Sequence, residues 1–305
     1  MKVLIRLLIS LMVLGFGTQA FAQLSYPPAK LAQALNAKLS GSSFKLGKAI
    51  IKLESLNGLL TGLSYTGGAR DDVGTVARVL AVALEQPESA PNIEGSLKQS
   101  ATRFRDVGTI KPRFSQETEL ELRWGKTFDF RLNLKRFTGY GPDRHIMGNR
   151  GPIIREFGDF ECPYCKQLMI KTMPTLRANY FDKGLARFAF HQLPLMSIHP
   201  HALEAGIAAE CAGLQGKFFA YHDLLYTLGL SDFVNLARTV QINIPAFDQC
   251  LKSEASKQSV LTEAGIAARL QISATPSVFI GPFKLPNAND LGAYGRYLQM
   301  ARALP

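Results

Sequence analysis

The sequence predicts a small α+β domain followed by an α/β domain that carries a long helical block. Three observations lead there. Residues 120–134 alternate apolar and polar side chains on both sides of Gly125-Lys126, the pattern of a β-hairpin with one buried face. In the second half the elements run strand, helix, strand, helical block, strand, helix, and such interleaving marks an α/β architecture. The chain has 305 residues, enough for two domains at roughly 150 residues each.

Taken in order, Lys2 and Arg6 border an apolar run from Leu7 to Phe16, and Ala20-Phe21-Ala22 precedes Gln23. Residues 1–22 therefore read as a cleaved secretory signal. A permanent anchor needs roughly 20 apolar residues, whereas Gly15, Gly17, Thr18 and Gln19 interrupt this run. The expectation is an exported, periplasmic or extracytoplasmic protein with no stable transmembrane anchor after cleavage.

The first domain is expected over residues 23–137. From Pro27 to Leu39 the apolar residues Leu31, Ala34, Leu35 and Leu39 recur at helical spacing. A short strand follows around Lys48 to Leu53, and Leu59 to Gly68, rich in Gly and Thr, reads as a turn. Asp71 to Glu85 forms a second helix, acidic in its first turn and closed by Pro87, and Ile93 to Arg105 forms a third. The hairpin brings together Leu120, Leu122, Trp124, Phe128, Phe130 and Leu132, an apolar face that needs covering. Residues 138–151, TGYGPDRHIMGNRG, hold four glycines and a proline and read as an interdomain linker with His145 as a solvated loop residue.

The second domain is expected over residues 152–305. Pro152 to Phe160 and Leu185 to Leu193 read as strands, separated by a helix from Pro163 to Arg177 that Pro174 would kink. His199 to Leu270 carries helical signals alone, with Phe218, Phe219 and Tyr221 as core aromatics. Ser277 to Phe283 returns to strand, and Asp290 to Leu304 closes the chain as a helix.

The formal net charge is +11, or +9 once Lys2 and Arg6 are removed. Such an excess favours acidic clients or an anionic membrane surface. No basic run is interleaved with aromatics, so nucleic acid is set aside as a partner. Four cysteines lie between positions 162 and 250, too sparse for a disulfide scaffold, so the core is held by burial.

The chemistry is concentrated in Phe157-Gly158-Asp159-Phe160-Glu161-Cys162-Pro163-Tyr164-Cys165. A thiolate is both the nucleophile and the good leaving group in disulfide exchange. At the start of a helix, free backbone N–H groups stabilise that anion, and Pro163 suits the first helical position, where no donor is needed. Cys162 is thus expected as the exposed attacking sulfur and Cys165, one turn further, as the shielded resolving partner. A zinc site is the competing reading, but Cys211 and Cys250 are 39 residues apart and His199 and His201 are the sole clustered imidazoles. No metal and no organic cofactor is expected. Cys211 and Cys250 either close a structural disulfide, spanning a loop of about 40 residues, or pack as free thiols; the disulfide is preferred. Pro276, heading an apolar strand, belongs at a strand start or an edge.

Glu156 to Cys165, Phe190-His191-Gln192-Leu193-Pro194-Leu195, Ala208-Ala209-Glu210-Cys211-Ala212, Gln215 to Phe219 with Tyr221-His222-Asp223, and Ala274-Thr275-Pro276 together resemble the DsbA-like thiol:disulfide oxidoreductases of the thioredoxin superfamily. The resemblance covers about residues 151–305. It implies an α/β thioredoxin-like fold with a helical insertion at about 197–270, preceded by the smaller α+β domain. It further implies a cis Pro276 opposite the cysteines, client peptides held beside Thr275, and Glu156 as a buried carboxylate that assists proton movement or serves as a structural acid. Partners would be cysteine-containing exported proteins and a redox protein that recycles the pair. Strongly oxidising relatives carry His where this chain has Tyr164, and Pro-Tyr with Thr before the proline is similar to the isomerase and reductase relatives, which dimerise through an N-terminal domain. Oxidase, isomerase or reductase with a possible homodimer, and a non-redox client-binding chaperone, all stay open at this point.

Overall fold

The computed structural model describes residues 24–112 and 115–304, so the signal reading of residues 1–22 lies outside the described residues. They fall into two compact units that divide between Lys135 and Arg136.

In the first unit the elements are α1 (Pro28–Ala34), β1 (Ser43–Leu46), β2 (Ala49–Leu56), β3 (Leu59–Ala69), α2 (Val73–Ala83), α3 (Ala90–Phe104), β4 (Thr109–Ile110), β5 (Thr118–Trp124) and β6 (Thr127–Leu134). The strands form an antiparallel sheet in the order β1-β2-β3-β6-β5-β4. Along β5 and β6 every second residue is buried, so the period-two pattern becomes one apolar face. Cross-strand partners Trp124 and Phe128 stack at 4.5 Å, and Tyr65 stacks on Phe130 at 5.1 Å. α2 starts where the Asp72 carboxylate accepts from Thr75 N at 3.1 Å. Tyr26 ties the opening segment to both layers: its carbonyl accepts from Leu60 N at 2.8 Å, and its hydroxyl donates to the Ala83 carbonyl at 2.8 Å.

Two sequence expectations fail here for local reasons. Leu59 to Gly68 is a strand, because its glycines serve packing instead of turning. A Cβ on Gly68 would lie 2.3 Å from the Tyr65 ring, and Gly67, at φ +77°, supplies the bulge at which β3 and β6 shift register. The first helix stops at Ala34, since Asn36 takes φ +54°.

The second unit contains β7 (His145–Met147), β8 (Ile153–Gly158), α4 (Pro163–Gln167), α5 (Met173–Leu176), β9 (Arg187–Gln192), α6 (Ala202–Gly213), α7 (Phe218–Leu228), α8 (Phe233–Thr239), α9 (Ile244–Leu251), α10 (Glu254–Arg269), β10 (Ser277–Ile280), β11 (Phe283–Lys284) and α11 (Leu291–Ala301). The sheet order is β11-β10-β8-β9-β7, with β8 and β9 parallel and the other pairs antiparallel. The helical block between β9 and β10 is the insertion. Cys211 on α6 and Cys250 on α9 form a disulfide within it, with Cα atoms 5.7 Å apart.

Residues 138–151 are not a free linker. They contain β7, which pairs with β9, and Tyr140 packs with Phe157 and Phe279 in the core. His145 is likewise no solvated loop residue: its Nε2 lies 2.8 Å from Glu210 Oε1, and its ring stacks on Phe218 at 3.6 Å. The glycines that suggested a linker let the backbone pass close to neighbours. At Gly141 a Cβ would sit 2.5 Å from Ile266 Cδ1. The helix expected from Pro163 to Arg177 continues to Phe181, but through π turns at Leu168–Thr172 and Arg177–Phe181 flanking α5. Pro174 lacks the N–H that a regular α-helix needs, and the wider turn before it absorbs the mismatch.

Candidate active site

The site lies where β8 runs into α4. Phe157 pairs with Ser277 across β8 and β10, which sets the Thr275-Pro276 turn against the segment that leads to Cys162. Cys162 is the N-cap of α4, with φ −69° and ψ 121°, and Pro163 is the first helical residue. The Thr275–Pro276 bond is cis. Cys162 Sγ lies 3.4 Å from the Thr275 carbonyl oxygen, to which it donates when protonated.

Both cysteines are free thiols. Cys162 is 4% exposed and Cys165 fully buried, so the attacking sulfur is far less open than the sequence suggested. The asymmetry between the two is chemical. The Cys162 thiol is drawn down to about 5, most of all by hydrogen bonding with Cys165, against an opposing effect of burial; the Thr275 side chain and the backbone N–H groups of Cys165 and Tyr164 add to it. The Thr275 hydroxyl is buried without another hydrogen-bond partner, leaving it available to the sulfur. Burial pushes the Cys165 thiol well above its ordinary range, reinforced by Cys162 and Glu156. One sulfur is therefore held as an anion and its neighbour as a thiol.

Glu156 lies on β8 with no exposed surface, and neither carboxylate oxygen has a hydrogen-bond partner of normal geometry. Burial raises its pKa to about 8, while the Cys165 thiol pulls it down. A carboxyl that titrates near neutrality beside a resolving thiol is equipped to exchange a proton with it. Tyr164, by contrast, is 60% exposed.

Sequence reasoning missed Asp159 and weighed His199 as a zinc ligand alone. The Asp159 carboxylate accepts from Glu161 N at 2.8 Å, from Leu195 N at 2.7 Å and from His199 Nδ1 at 2.8 Å. Its carbonyl accepts from Cys162 N at 3.1 Å and from the Tyr226 hydroxyl at 3.2 Å. The available signal was an acid three residues before Cys162 and a His four residues after Leu195; their 40-residue separation hid the pairing. Among the described residues no group of three or more His, Cys, Asp and Glu side chains is arranged to hold a metal ion.

The chain is similar to the probable disulfide bond formation protein D of Bacillus anthracis, 26% identical over 153 residues that cover 46% of this chain and 70% of that protein. It is also similar to the Na(+)/H(+) antiporter NhaA 1 of Salinispora arenicola, 34% identical over 146 residues, 46% of this chain and 22% of the antiporter. The chain thus spans about a quarter of the length of such antiporter relatives. Among the described residues no helix is long and apolar enough to cross a membrane. The fold is shared with oxidised BdbD from Bacillus subtilis, at a TM-score of 0.50 and 18% identity, over 55% of this chain and 98% of that one. Residues 142–299 match the thioredoxin family model, slightly more than half of the chain, so the chain belongs to the thioredoxin family.

Proposed function

We propose that this protein is an exported thiol:disulfide oxidoreductase that passes disulfides to the cysteines of other exported proteins through Cys162 and Cys165. The observation that carries the reading is the opposite tuning of the two sulfurs: Cys162 drawn down to about 5 at the head of α4, Cys165 pushed up behind it. A pair whose reduced form is stabilised as a thiolate is a good oxidant, because reduction of its disulfide releases that stabilisation. The oxidising direction follows.

In that direction a client thiolate attacks Sγ of Cys162 in the Cys162–Cys165 disulfide. The S–S bond breaks, a client–Cys162 bond forms, and Cys165 leaves as a thiolate that takes a proton from the Glu156 carboxyl. A second client thiolate then attacks the client sulfur of the mixed disulfide and Cys162 leaves as a thiolate. The client loses two electrons, the CxxC pair gains them, and no organic cofactor enters. A second redox protein must remove those electrons to restore the disulfide. The reverse sequence, Cys162 attacking first and Cys165 resolving, gives reduction with the same atoms. Thr275, whose carbonyl lies 3.4 Å from Cys162 Sγ, and the cis Pro276 that follows it are assigned to the client backbone.

Export is supported by the signal anatomy of residues 1–22 and by the Cys211–Cys250 disulfide, which persists in oxidising compartments. Ion transport is not carried over from the antiporter relatives, since the shared segment is a small part of them.

Two measurements test the reading. Cys165→Ala should accumulate mixed disulfides through Cys162 on a non-reducing gel; adducts through Cys211 would contradict it. Equilibration of the Cys162/Cys165 couple with glutathione should give a potential toward about −120 mV; a value near about −270 mV would make the protein a reductant.

A further inference from the structure

We propose that His199 is a positioning residue for Cys162: clamped by Asp159, it presents a fixed imidazole that stabilises the attacking sulfur as an anion. The inference rests on the exchange reaction proposed above and assigns a residue to it.

The geometry begins with Asp159. Its side chain is fully buried, and among the described residues the basic group on it is His199. A buried carboxylate without a counter-charge is costly, and two neutral N–H donors from the backbone do not replace a cation. Asp159 therefore favours the protonated imidazole. The same residue fixes the nucleophile, since its carbonyl accepts from Cys162 N and its carboxylate accepts from Glu161 N. The carboxylate also accepts from Leu195 N, so one side chain sets the loop that bears His199 against the turn that bears Cys162. Next along, Glu161 Oε2 accepts from His201 N at 2.7 Å and fastens the two segments a second time.

Asp159 touches the ring, and the charges of Glu161 and Cys162, on the turn that Asp159 holds, act on it from beyond contact. Each raises the proton affinity of His199 against the lowering effect of its burial. The influence of Cys162 on His199 is reciprocal by linkage, so the cation must favour the thiolate as much as the thiolate favours the cation. When Cys162 enters a disulfide its charge disappears, and His199 then holds its proton less tightly.

The test uses the full chain. In the reduced protein the ionisation of Cys162 is followed by thiolate absorbance, and in parallel the His199 ring is titrated by NMR in the reduced and oxidised forms. His199→Gln, which keeps a hydrogen-bond donor for Asp159 without the charge, should raise the Cys162 midpoint by about half to one pH unit. His199→Lys should recover part of that change. The His199 ring of the unaltered protein should titrate at a higher pH in the reduced form than in the oxidised form, a readout that needs no variant to fold. A Cys162 midpoint unchanged in His199→Gln, or a His199 titration that ignores redox state, overturns the role of His199 while leaving the exchange reaction standing. A Cys162 midpoint that is that of an ordinary thiol in the unaltered protein overturns both.

Discussion

Cys162 and Glu156 respond to pH in opposite senses, and the difference can be read from stability. In the reduced protein Cys162 ionises at about 5 in place of 9.0. Between those values the unfolded chain binds a proton that the native state does not. Its contribution is present above pH 9 and is lost as pH falls through 5. Glu156 is held at about 8 in place of 4.5, so the native state keeps a proton that the unfolded chain releases. Its contribution is complete below pH 4.5 and is lost as pH rises through 8. The oxidised protein keeps the burial that is the largest cause of the Glu156 shift but has no Cys162 thiol to ionise. The stability of the reduced form relative to the oxidised form should rise by roughly 3 kcal/mol from pH 5 to 9, less than full conversion because the thiolate raises the proton affinity of Glu156 and His199, whose contributions are lost as pH rises. Urea denaturation of both forms across that range measures it, and a flat difference would mean that the thiolate is not held. The cysteine pair was legible in the sequence because its physics is local, a thiol at a helix start followed by proline. The Asp159–His199 pair was not, since a contact between residues 40 apart is made by the fold and leaves no periodicity to read.

At the level of elements, alternation was the most faithful signal and glycine content the least. β5 and β6 follow their apolar positions because burial of one face is what a half-covered sheet requires. β3 was missed because the same residue that permits a turn also lets a strand pass under a large ring. Gly68→Val should therefore destabilise the first unit by about 2 kcal/mol, as expected for forcing atoms into a filled site. A fall in the denaturation midpoint with an unchanged slope would register it, and an unaffected midpoint would show that Tyr65 swings away freely. β7 hid inside a glycine-rich segment for a related reason. Its three residues are too few to display a period, and β9 supplies the pairing. In the helical insertion, the Cys211–Cys250 disulfide links α6 to α9 across a separation of 39 residues. Replacing both with Ser should cost about 4 kcal/mol by the chain-entropy argument. The loss should appear in thermal unfolding while the Cys162 ionisation midpoint stays in place.

For the whole molecule, the division between Lys135 and Arg136 places all four cysteines, Glu156, Asp159, His199 and Pro276 in the second unit. The groups named above as tuning the sulfurs lie in residues 136–305. A fragment of residues 136–305 is expected to exchange with a small soluble disulfide at a rate within about twofold of the full chain, since the electrostatics that set the thiolate fraction are short-ranged at physiological ionic strength. Stopped-flow kinetics at matched pH checks this. A fall of tenfold or more in a fragment that keeps its helical circular dichroism would show that the first unit completes the site. Protein clients provide the contrast, because they carry charge of their own and feel the net charge of the chain, +9 once Lys2 and Arg6 are removed. For an acidic client the full chain should react faster than for a basic one, and that advantage should shrink with added salt, because steering by net charge acts through solvent where salt screens it. A salt-independent preference would place client selection in direct contacts beside Cys162.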